Sequence, residues 1–327
     1  MNRISFRRAV SLFVMAFLLL CLGGLLGCSD QIYDPNGETL LLDGTGNSDQ
    51  TGNVMEIPNA DPFGNSPHVL RADFLNTGDS DVILIRMDGT VILVDAGEAD
   101  DYPVISRKLA EYGVSTIDYF IITHYDNDHI GAAAQILQSY TVKTVYMPDY
   151  RRDSSLYRRM AAVLEGLPEV AVFRITEDVR MDLSYGSLWI NPTGLYEAGV
   201  TLGSDDSHAL EENNYSLITS LYFGEISVLL AGDAEQDRIT EFMEKVGDKL
   251  TYDVIKIPHH GGYDKALGNL LRENVGARYC MVHVGSQGLV DASLVTAMRT
   301  SGAAAKFTYE GNIAFATDGV SMTVEQK

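Results

Sequence analysis

A short segment that follows an apolar run carries four residues able to ligate a metal ion: His124, Asp126, Asp128 and His129. His124 and Asp126 are two positions apart, so their side chains point the same way if the chain is extended there. Asp128 and His129 are adjacent and share a direction only if the chain turns, as in a loop that enters a helix at Ile130. The spacing therefore predicts two pairs of ligands, one pair for each of two ions. Two of the seven histidines of the chain fall in this segment, which argues against an incidental acidic loop.

Three further apolar runs also end in residues that can ligate metal. One is followed by Gly232 and Asp233, another by His259 and His260, and an earlier one by Asp95. Each ending alone means little, because Gly-Asp is a common turn and a histidine pair can lie at a protein surface. Together with the segment at His124, they predict one rim on which the ends of four strands converge.

These residues resemble the metallo-β-lactamase superfamily, whose members carry a His-x-His-x-Asp-His loop. In that superfamily a strand ending in Asp precedes the loop, and a Gly-Asp and a late His follow it. The similarity extends in particular to the hydrolase domain of ComEC-type competence proteins, which have Asp at the position of Asp126. Those proteins also carry a His-His-Gly segment, as residues 259–261 do here.

The resemblance covers roughly residues 69–319. Residues 74–81 are similar to the Gly-Gln-Gly-Asp start of the ComEC-type group, although Asp79 and Ser80 depart from it. Residues 214–217 are similar to its Asn-x-Ser-Leu element. The resemblance implies an α/β fold, the metallo-β-lactamase αββα sandwich, in which two mixed sheets pack face to face with helices outside.

The resemblance also implies a ligand set and a role for each member. The implied metal ligands are His124, Asp126, Asp128, His129, Asp233 and His260. The first two would hold one ion and the next two the other, with Asp233 as a bridge. His260 would complete the second ion and His259 would face the substrate, but the sequence leaves open which of these two binds metal.

Two divalent ions, Zn²⁺ or Mn²⁺, are the expected cofactors. At the site of His124 and Asp126, the carboxylate of Asp126 is a harder ligand than a histidine. This makes Mn²⁺ more plausible there than at an all-histidine site. The superfamily often has one more histidine before the Gly-Asp strand, where this chain has residues 213–216. His208 lies nearby in a polar loop and is not assigned as a ligand, so the occupancy of the first ion stays open.

The expected reaction is hydrolysis by a metal-bound hydroxide, since a bound ion lowers the pKa of water from about 15.7 to about 7. Asp128 would hold the nucleophile, and His259 would donate a proton or hydrogen bond to a phosphate or leaving group. Asp95 would orient the loop from behind the ligands. Cys280 lies in an apolar run and is interpreted as a buried, inert thiol.

The ComEC-type resemblance favours a phosphodiester substrate, small or polymer-borne, and bacterial choline-phosphate esterases of teichoic acid resemble the same pattern. Four basic residues could steer phosphate or form a solvated helix face: Arg151, Arg152, Arg158 and Arg159. One alternative is a lactonase or β-lactamase, but such relatives mostly keep a histidine where Asp126 stands. Another is a lipoprotein that binds without catalysis, which the complete ligand set argues against.

The N-terminal residues 1–28 form a predicted lipoprotein signal peptide. Three arginines precede an apolar run, and Leu25-Leu26-Gly27-Cys28 resembles a lipobox in which Cys28 is lipidated. The alternative is a single signal anchor, and both place the remainder at the extracytoplasmic face of the cell membrane. The net charge of −21 repels polyanions, which disfavours duplex DNA as a partner.

The elements that must position the ligands lie in a predicted hydrolase domain at residues 67–327. Residues 29–66, rich in Asn, Asp, Gly and Ser, are predicted to be a flexible tether. Each half of the domain opens with strand-like hairpins and continues with alternating helices and strands. This order predicts two packed sheets with helices outside, and the ligands follow apolar strands such as 119–123 and 254–257.

Overall fold

The computed structural model describes residues 63, 66–203, 212–247, 251–274 and 276–327. All of them belong to one of the two units into which the chain divides, Asn59–Lys327. The predicted signal peptide, His208 and all of the predicted tether except Phe63 and Ser66 lie outside the described residues. In the described part of the chain, no helix is both long and apolar enough to cross a membrane.

The described residues contain seventeen strands, numbered here in chain order. They are β1 (Leu70–Phe74), β2 (Ile83–Met87), β3 (Thr90–Val94), β4 (Thr116–Ile121), β5 (Thr141–Pro148), β6 (Arg151–Arg152), β7 (Ala171–Ile175), β8 (Val179–Leu183), β9 (Gly186–Asn191), β10 (Thr201–Leu202), β11 (Ile218–Phe223), β12 (Ile226–Leu230), β13 (Val254–Lys256), β14 (Tyr279–Val282), β15 (Ala304–Phe307), β16 (Ile313–Thr317) and β17 (Met322–Gln326). One sheet has the order β17-β16-β1-β2-β3-β4-β5-β7, and the other has the order β15-β14-β13-β12-β11-β9-β8. Strands β6 and β10 form a separate parallel pair.

Helices cover the outer face of each sheet. They are α1 (Tyr102–Glu111), α2 (Asn127–Ile130), α3 (Ala133–Ser139), α4 (Ser155–Glu165), α5 (Gln236–Val246), α6 (Lys265–Glu273) and α7 (Ala292–Ser301). Helices α1 to α4 pack on the first sheet in one apolar cluster, and α5 to α7 pack on the second sheet in another. The αββα sandwich predicted from the sequence is therefore confirmed.

Alternating side chains explain why both faces of each central strand are buried. Leu93 of β3 faces the helices, whereas its neighbour Val94 faces the other sheet. In β12, Leu229 faces the helices and Leu230 faces the first sheet. Successive side chains of a strand point to opposite faces, so a continuous apolar run can fill two cores at once.

Parallel strands bring the residues that follow them to one edge of each sheet. Strands β3, β4 and β5 run parallel in the first sheet, with Val94 paired to Ile121. Strands β12, β13 and β14 run parallel in the second, with Leu230 paired to Lys256. Ligand sites in α/β sheets form outside such carboxyl ends, which is where the predicted ligands lie.

The structure differs from the predicted elements in one helix and in four strands. The helix expected from Ile130 is α3 and begins at Ala133. A separate one-turn helix, α2, precedes it, so Asp128 and His129 lie in that helix rather than in a loop. The two-residue strands β6 and β10 were not predicted, and neither were β8 and β15. Strands β8 and β15 lie at the ends of the second sheet and are half-exposed, so their sequences lack the apolar runs that mark central strands.

Candidate metal centre

Four predicted ligands from two sheets meet in a group that we call the four-residue cluster: Asp128, His129, Asp233 and His260. One ligand atom from each lies within 4.8 Å of the ligand atoms of all the others. His260 Nε2 is 3.0 Å from Asp128 Oδ2 and 3.2 Å from Asp233 Oδ2, and His129 Nε2 is 3.2 Å from Asp233 Oδ2. Since α2 follows β4, while Asp233 and His260 follow β12 and β13, the cluster forms where the two sheets meet.

The donor atoms of this region fit a divalent ion. The Nε2 atoms of His124 and His129 and Oδ1 of Asp233 are buried and make no aligned hydrogen bond among the described residues. Buried polar atoms are nearly always paired, so a partner that the chain does not supply is expected here. Two imidazoles and two carboxylates suit Zn²⁺ and also Mn²⁺.

The electrostatics of the cluster favour a bound cation. Burial alone would lower the pKa of His129, but the carboxylates of Asp233, Asp95 and Asp128 outweigh it and hold the pKa well above its usual value. The carboxylates likewise outweigh burial at His260 and raise its pKa to about 10. Protons thus balance the carboxylate charge when no ion is bound, and metal binding is expected to release them.

Asp95 orients the ring of His129 for metal binding. The Nδ1 atom of that ring lies 2.8 Å from Asp95 Oδ2, so Nε2 is the nitrogen that would ligate an ion once its proton is released. Thr123 fixes Asp95 in turn, donating from its backbone N and from Oγ1, each over 2.8 Å. Asp95 has φ +57°, a left-handed backbone conformation that residues other than glycine rarely adopt. These contacts match the orienting role that the sequence predicts for Asp95.

The other two predicted ligands form what we call the His124–Asp126 pair. His124 Nε2 is 3.7 Å from Asp126 Oδ2, and the His124 ring lies 4.0 Å from the His129 ring between centroids. Among the described residues, neither member belongs to a group of three or more mutually close ligand atoms. The structure therefore gathers four of the six predicted ligands tightly and leaves two as a neighbouring pair.

The two adjacent histidines point in different directions. The His260 side chain is 15% exposed and reaches the cluster, whereas His259 is 44% exposed and places Nδ1 3.0 Å from Glu235 Oε1. Both residues have positive φ, +47° and +49°, so the chain turns sharply between them. The hydrogen bond to Glu235 raises the pKa of His259. The geometry thus favours His260 as the ligand and leaves His259 near solvent.

Three buried residues beside the cluster were not singled out from the sequence: Asp81, Lys256 and His283. Lys256 Nζ contacts the Asp81 carboxylate, lies 3.5 Å from Asp233 Oδ1 and donates to the Gly232 carbonyl over 2.9 Å. His283 Nδ1 lies 3.3 Å from Asp81 Oδ1. A lysine inside the apolar run of β13 was a usable signal, because a buried charge requires a partner.

The stretch that replaces the additional histidine of the superfamily has structural roles. Asn214 Oδ1 accepts hydrogen bonds from the backbone N of Glu235 and of Arg238, at the start of α5. Ser216 Oγ accepts one from the backbone N of Asp233 over 3.2 Å. These residues position the Gly-Asp turn and supply no metal ligand in the described contacts.

Two predictions about residues that are not metal ligands can be compared with the structure. Cys280 is buried and free, so the prediction of a buried thiol is confirmed, and burial raises the pKa of that thiol to about 12. Of the four arginines expected to steer phosphate or to form a solvated face, Arg151, Arg158 and Arg159 are exposed. Arg152 is not, and its Nη2 lies 3.5 Å from Asp126 Oδ1.

Comparison with known proteins is consistent with this centre. A family model described as the metallo-beta-lactamase superfamily matches residues 75–275. ComE operon protein 3 of Bacillus subtilis (strain 168) is 30% identical over 165 residues, which are 50% of this chain and 19% of that protein. Recombination protein 2 of Haemophilus influenzae is 26% identical over 200 residues, 58% of this chain and 21% of that protein. These matches confirm the resemblance to ComEC-type proteins, although the matched part spans about a fifth of either relative.

Among solved structures, the metallo-beta-lactamase fold protein YhfI from Bacillus subtilis is similar with a TM-score of 0.46 and 15% sequence identity. The similarity covers 73% of this chain and 95% of that one.

Proposed function

Because this chain belongs to the metallo-β-lactamase superfamily, we propose that it is a metal-dependent hydrolase of phosphodiester bonds. The observation that carries this proposal is the four-residue cluster, in which a buried histidine nitrogen has no aligned partner beside carboxylates from both sheets. The resemblance to ComEC-type domains and the carboxylate-rich ligand set support a phosphodiester over a lactone or an amide.

We propose that the four-residue cluster would hold one Zn²⁺ or Mn²⁺ ion and that the His124–Asp126 pair would hold a second. When bound, such ions act as Lewis acids and supply hydroxide near neutral pH. The chain supplies the fixed ligands, oriented by Asp95, Thr123 and Lys256, so little reorganisation is needed during the reaction.

Asp128 and His259 are the residues placed to act on substrate. The Asp128 side chain is more exposed than that of Asp233, so it is the cluster carboxylate that can accept a proton from an attacking water. His259 can donate a proton to the leaving group from the ring nitrogen that does not face Glu235. A cavity of about 250 Å³ is lined by residues that include Glu235, His259 and Tyr263, and by no residue of the four-residue cluster.

The charge of the chain favours a small diester over duplex DNA. A net charge of −21 repels each phosphate, and a small diester carries one charge where duplex DNA carries many. We therefore expect faster cleavage of small or lipid-borne diesters than of duplex DNA. DNA cleavage should improve as added salt screens the repulsion, because the Debye length falls from about 10 Å at 0.1 M to about 3 Å at 1 M.

The test is a screen of purified protein, loaded with Mn²⁺ or Zn²⁺, against bis-aryl phosphates, phosphocholine esters, DNA and lactones. Diester cleavage is expected, and His129→Ala and Asp128→Ala should each reduce it by about 100-fold or more. His68→Ala is the control, because His68 pairs with Asp88 away from the centre. Absence of diesterase activity in fully loaded protein, or faster opening of lactones, would reject the proposal.

We also propose that the chain is anchored at the extracytoplasmic face of the membrane by lipid on Cys28. The lipobox-like segment ending at Cys28 and the basic residues before the apolar run support this. Cys28→Ser should release the protein from the membrane fraction or leave it unprocessed, as fractionation and mass spectrometry would show. Wild-type protein found in the cytoplasm without lipid would contradict the proposal.

A further inference from the structure

Arg152 differs from the arginines around it in sequence. It follows β5 and lies in the short strand β6, next to the exposed Arg151. Its side chain is 10% exposed and lies between the carboxylates of Asp126 and Glu212. A guanidinium this far from solvent, facing a candidate metal ligand, calls for an explanation other than surface charge.

The contacts of Arg152 form a closed network around the ligand loop. Its Nη2 is 3.5 Å from Asp126 Oδ1, and its Nη1 contacts Glu212 Oε2. Glu212 is fully buried, and its Oε1 accepts a hydrogen bond from the Tyr150 hydroxyl over 2.9 Å. That hydroxyl in turn accepts from the backbone N of Tyr125 over 2.8 Å. The network thus begins at the side chain of Asp126 and returns to the residue immediately before it.

Charge explains why Arg152 stays in this position. The buried carboxylate of Glu212 needs a counter-charge, and a guanidinium can contact two carboxylates at once through its planar set of donors. Asp126 then has one oxygen, Oδ1, directed at Arg152, while the other, Oδ2, is directed at His124. The His124–Asp126 pair has no third close ligand among the described residues, so its geometry depends on how firmly Asp126 is held.

We propose that Arg152 is a positioning residue for the His124–Asp126 pair. It holds Oδ1 of Asp126, so that Oδ2 is presented together with Nε2 of His124 to a divalent ion. Glu212, Tyr150 and Tyr125 keep Arg152 in place. This inference rests on the proposed metal centre but not on the bond that the centre cleaves, because its consequence is a difference in metal affinity.

The test is metal titration of Arg152→Gln by calorimetry and equilibrium dialysis, with Mn²⁺ and with Zn²⁺. Wild-type protein should bind two equivalents. In the variant, the equivalent held by the four-residue cluster should bind as in the wild type, whereas the other should weaken by about 10- to 100-fold. Arg151→Gln is the matched control, because Arg151 precedes Arg152 in the same strand and is exposed. It should leave both equivalents unchanged.

A second variant separates positioning from folding. Arg152→Gln leaves Glu212 buried without its counter-charge, whereas the double variant Arg152→Gln/Glu212→Gln removes both charges. The double variant should unfold at nearly the wild-type temperature without metal and should still bind one equivalent weakly. Arg152→Lys should restore part of the affinity, because an ammonium keeps the charge but not the planar pair of contacts.

Three results would overturn the proposal. The first is wild-type affinity for both equivalents in Arg152→Gln and in the double variant. The second is a wild-type protein that binds only one equivalent, because the pair then holds no ion. The third is unchanged metal affinity with a raised KM for a diester, which would assign Arg152 to substrate binding. If the metal result holds but no diester is cleaved, the proposed function fails and this inference stands.

Discussion

The two parts of the metal centre are built in different ways. The four-residue cluster takes Asp128 and His129 from α2 and takes Asp233 and His260 from the edge of the other sheet. The His124–Asp126 pair comes from one loop after β4, which is contacted by Arg152 at Asp126, by the Tyr150 hydroxyl at Tyr125 and by the His129 ring at His124. The ligands of the cluster are therefore fixed by the packing of two sheets, whereas both ligands of the pair belong to a single loop that neighbouring side chains hold.

This difference leads us to expect that the two ions bind with unequal affinity. Two sheets with a common apolar core hold the cluster ligands in place before any ion binds, and preformed ligands lose less freedom on binding. The pair presents fewer ligands and one of them, Asp126, is partly exposed. The cluster should fill first, and changes to the cluster should have larger effects than changes to the pair.

The largest effect is expected when Lys256, the buried lysine beside the four-residue cluster, is replaced. Lys256→Met leaves the carboxylates of Asp81 and Asp233 buried without Lys256, which is 1% exposed. Breaking a buried ion pair in this way costs roughly 3–5 kcal/mol of unfolding free energy. Urea denaturation of metal-free protein would measure it.

The matched control for that measurement is Lys143→Met. Lys143 also pairs with a carboxylate, Asp118, but is 62% exposed, so its loss should change the unfolding free energy far less than the loss of Lys256. If the two lysine variants were equally stable, the carboxylates at the cluster would not depend on the buried charge of Lys256. The difference in construction between the cluster and the His124–Asp126 pair would then lose this support.

The next effect distinguishes two adjacent histidines. His260→Gln should weaken the tighter metal equivalent by at least about 100-fold, because His260 Nε2 lies within the cluster. His259→Gln should leave metal content unchanged and lower turnover by about 100-fold if His259 donates a proton. Elemental analysis and steady-state kinetics on both variants would show this. Loss of metal from His259→Gln instead would exchange the two roles.

The smallest effect is expected at the pair itself. Asp126→Asn keeps the shape of the side chain and removes its charge, so the weaker equivalent should lose about 10- to 100-fold in affinity, no less than in Arg152→Gln. The tighter equivalent serves as the internal control, since Asp126 lies outside the cluster. Titration with Mn²⁺ would resolve the two. Equal weakening of both equivalents would show that the ions are coupled and that the two parts act as one site.

The fold was largely predictable because its central strands carry continuous apolar runs. Strands β3, β4, β12 and β13 were expected close to where they lie, since each fills a core on both faces. Strands β8 and β15 were not, because half-exposed strands at the ends of a sheet need few apolar residues. The one-turn helix α2 was also missed, because the sequence around Asn127 has no apolar repeat that marks a helix.

The sequence alone determined which residue types end the strands, and hence which side chains are candidate ligands. A strand that ends in His or Asp delivers that side chain to the edge of its sheet whatever the rest of the chain does. The tertiary structure decided which candidates meet. It turned His260 toward the cluster and His259 away from it, and it buried Lys256 against Asp81 and Asp233. It also placed Arg152 against Asp126. Such contacts join residues far apart in the sequence, and only the packing of two sheets sets the distances between them.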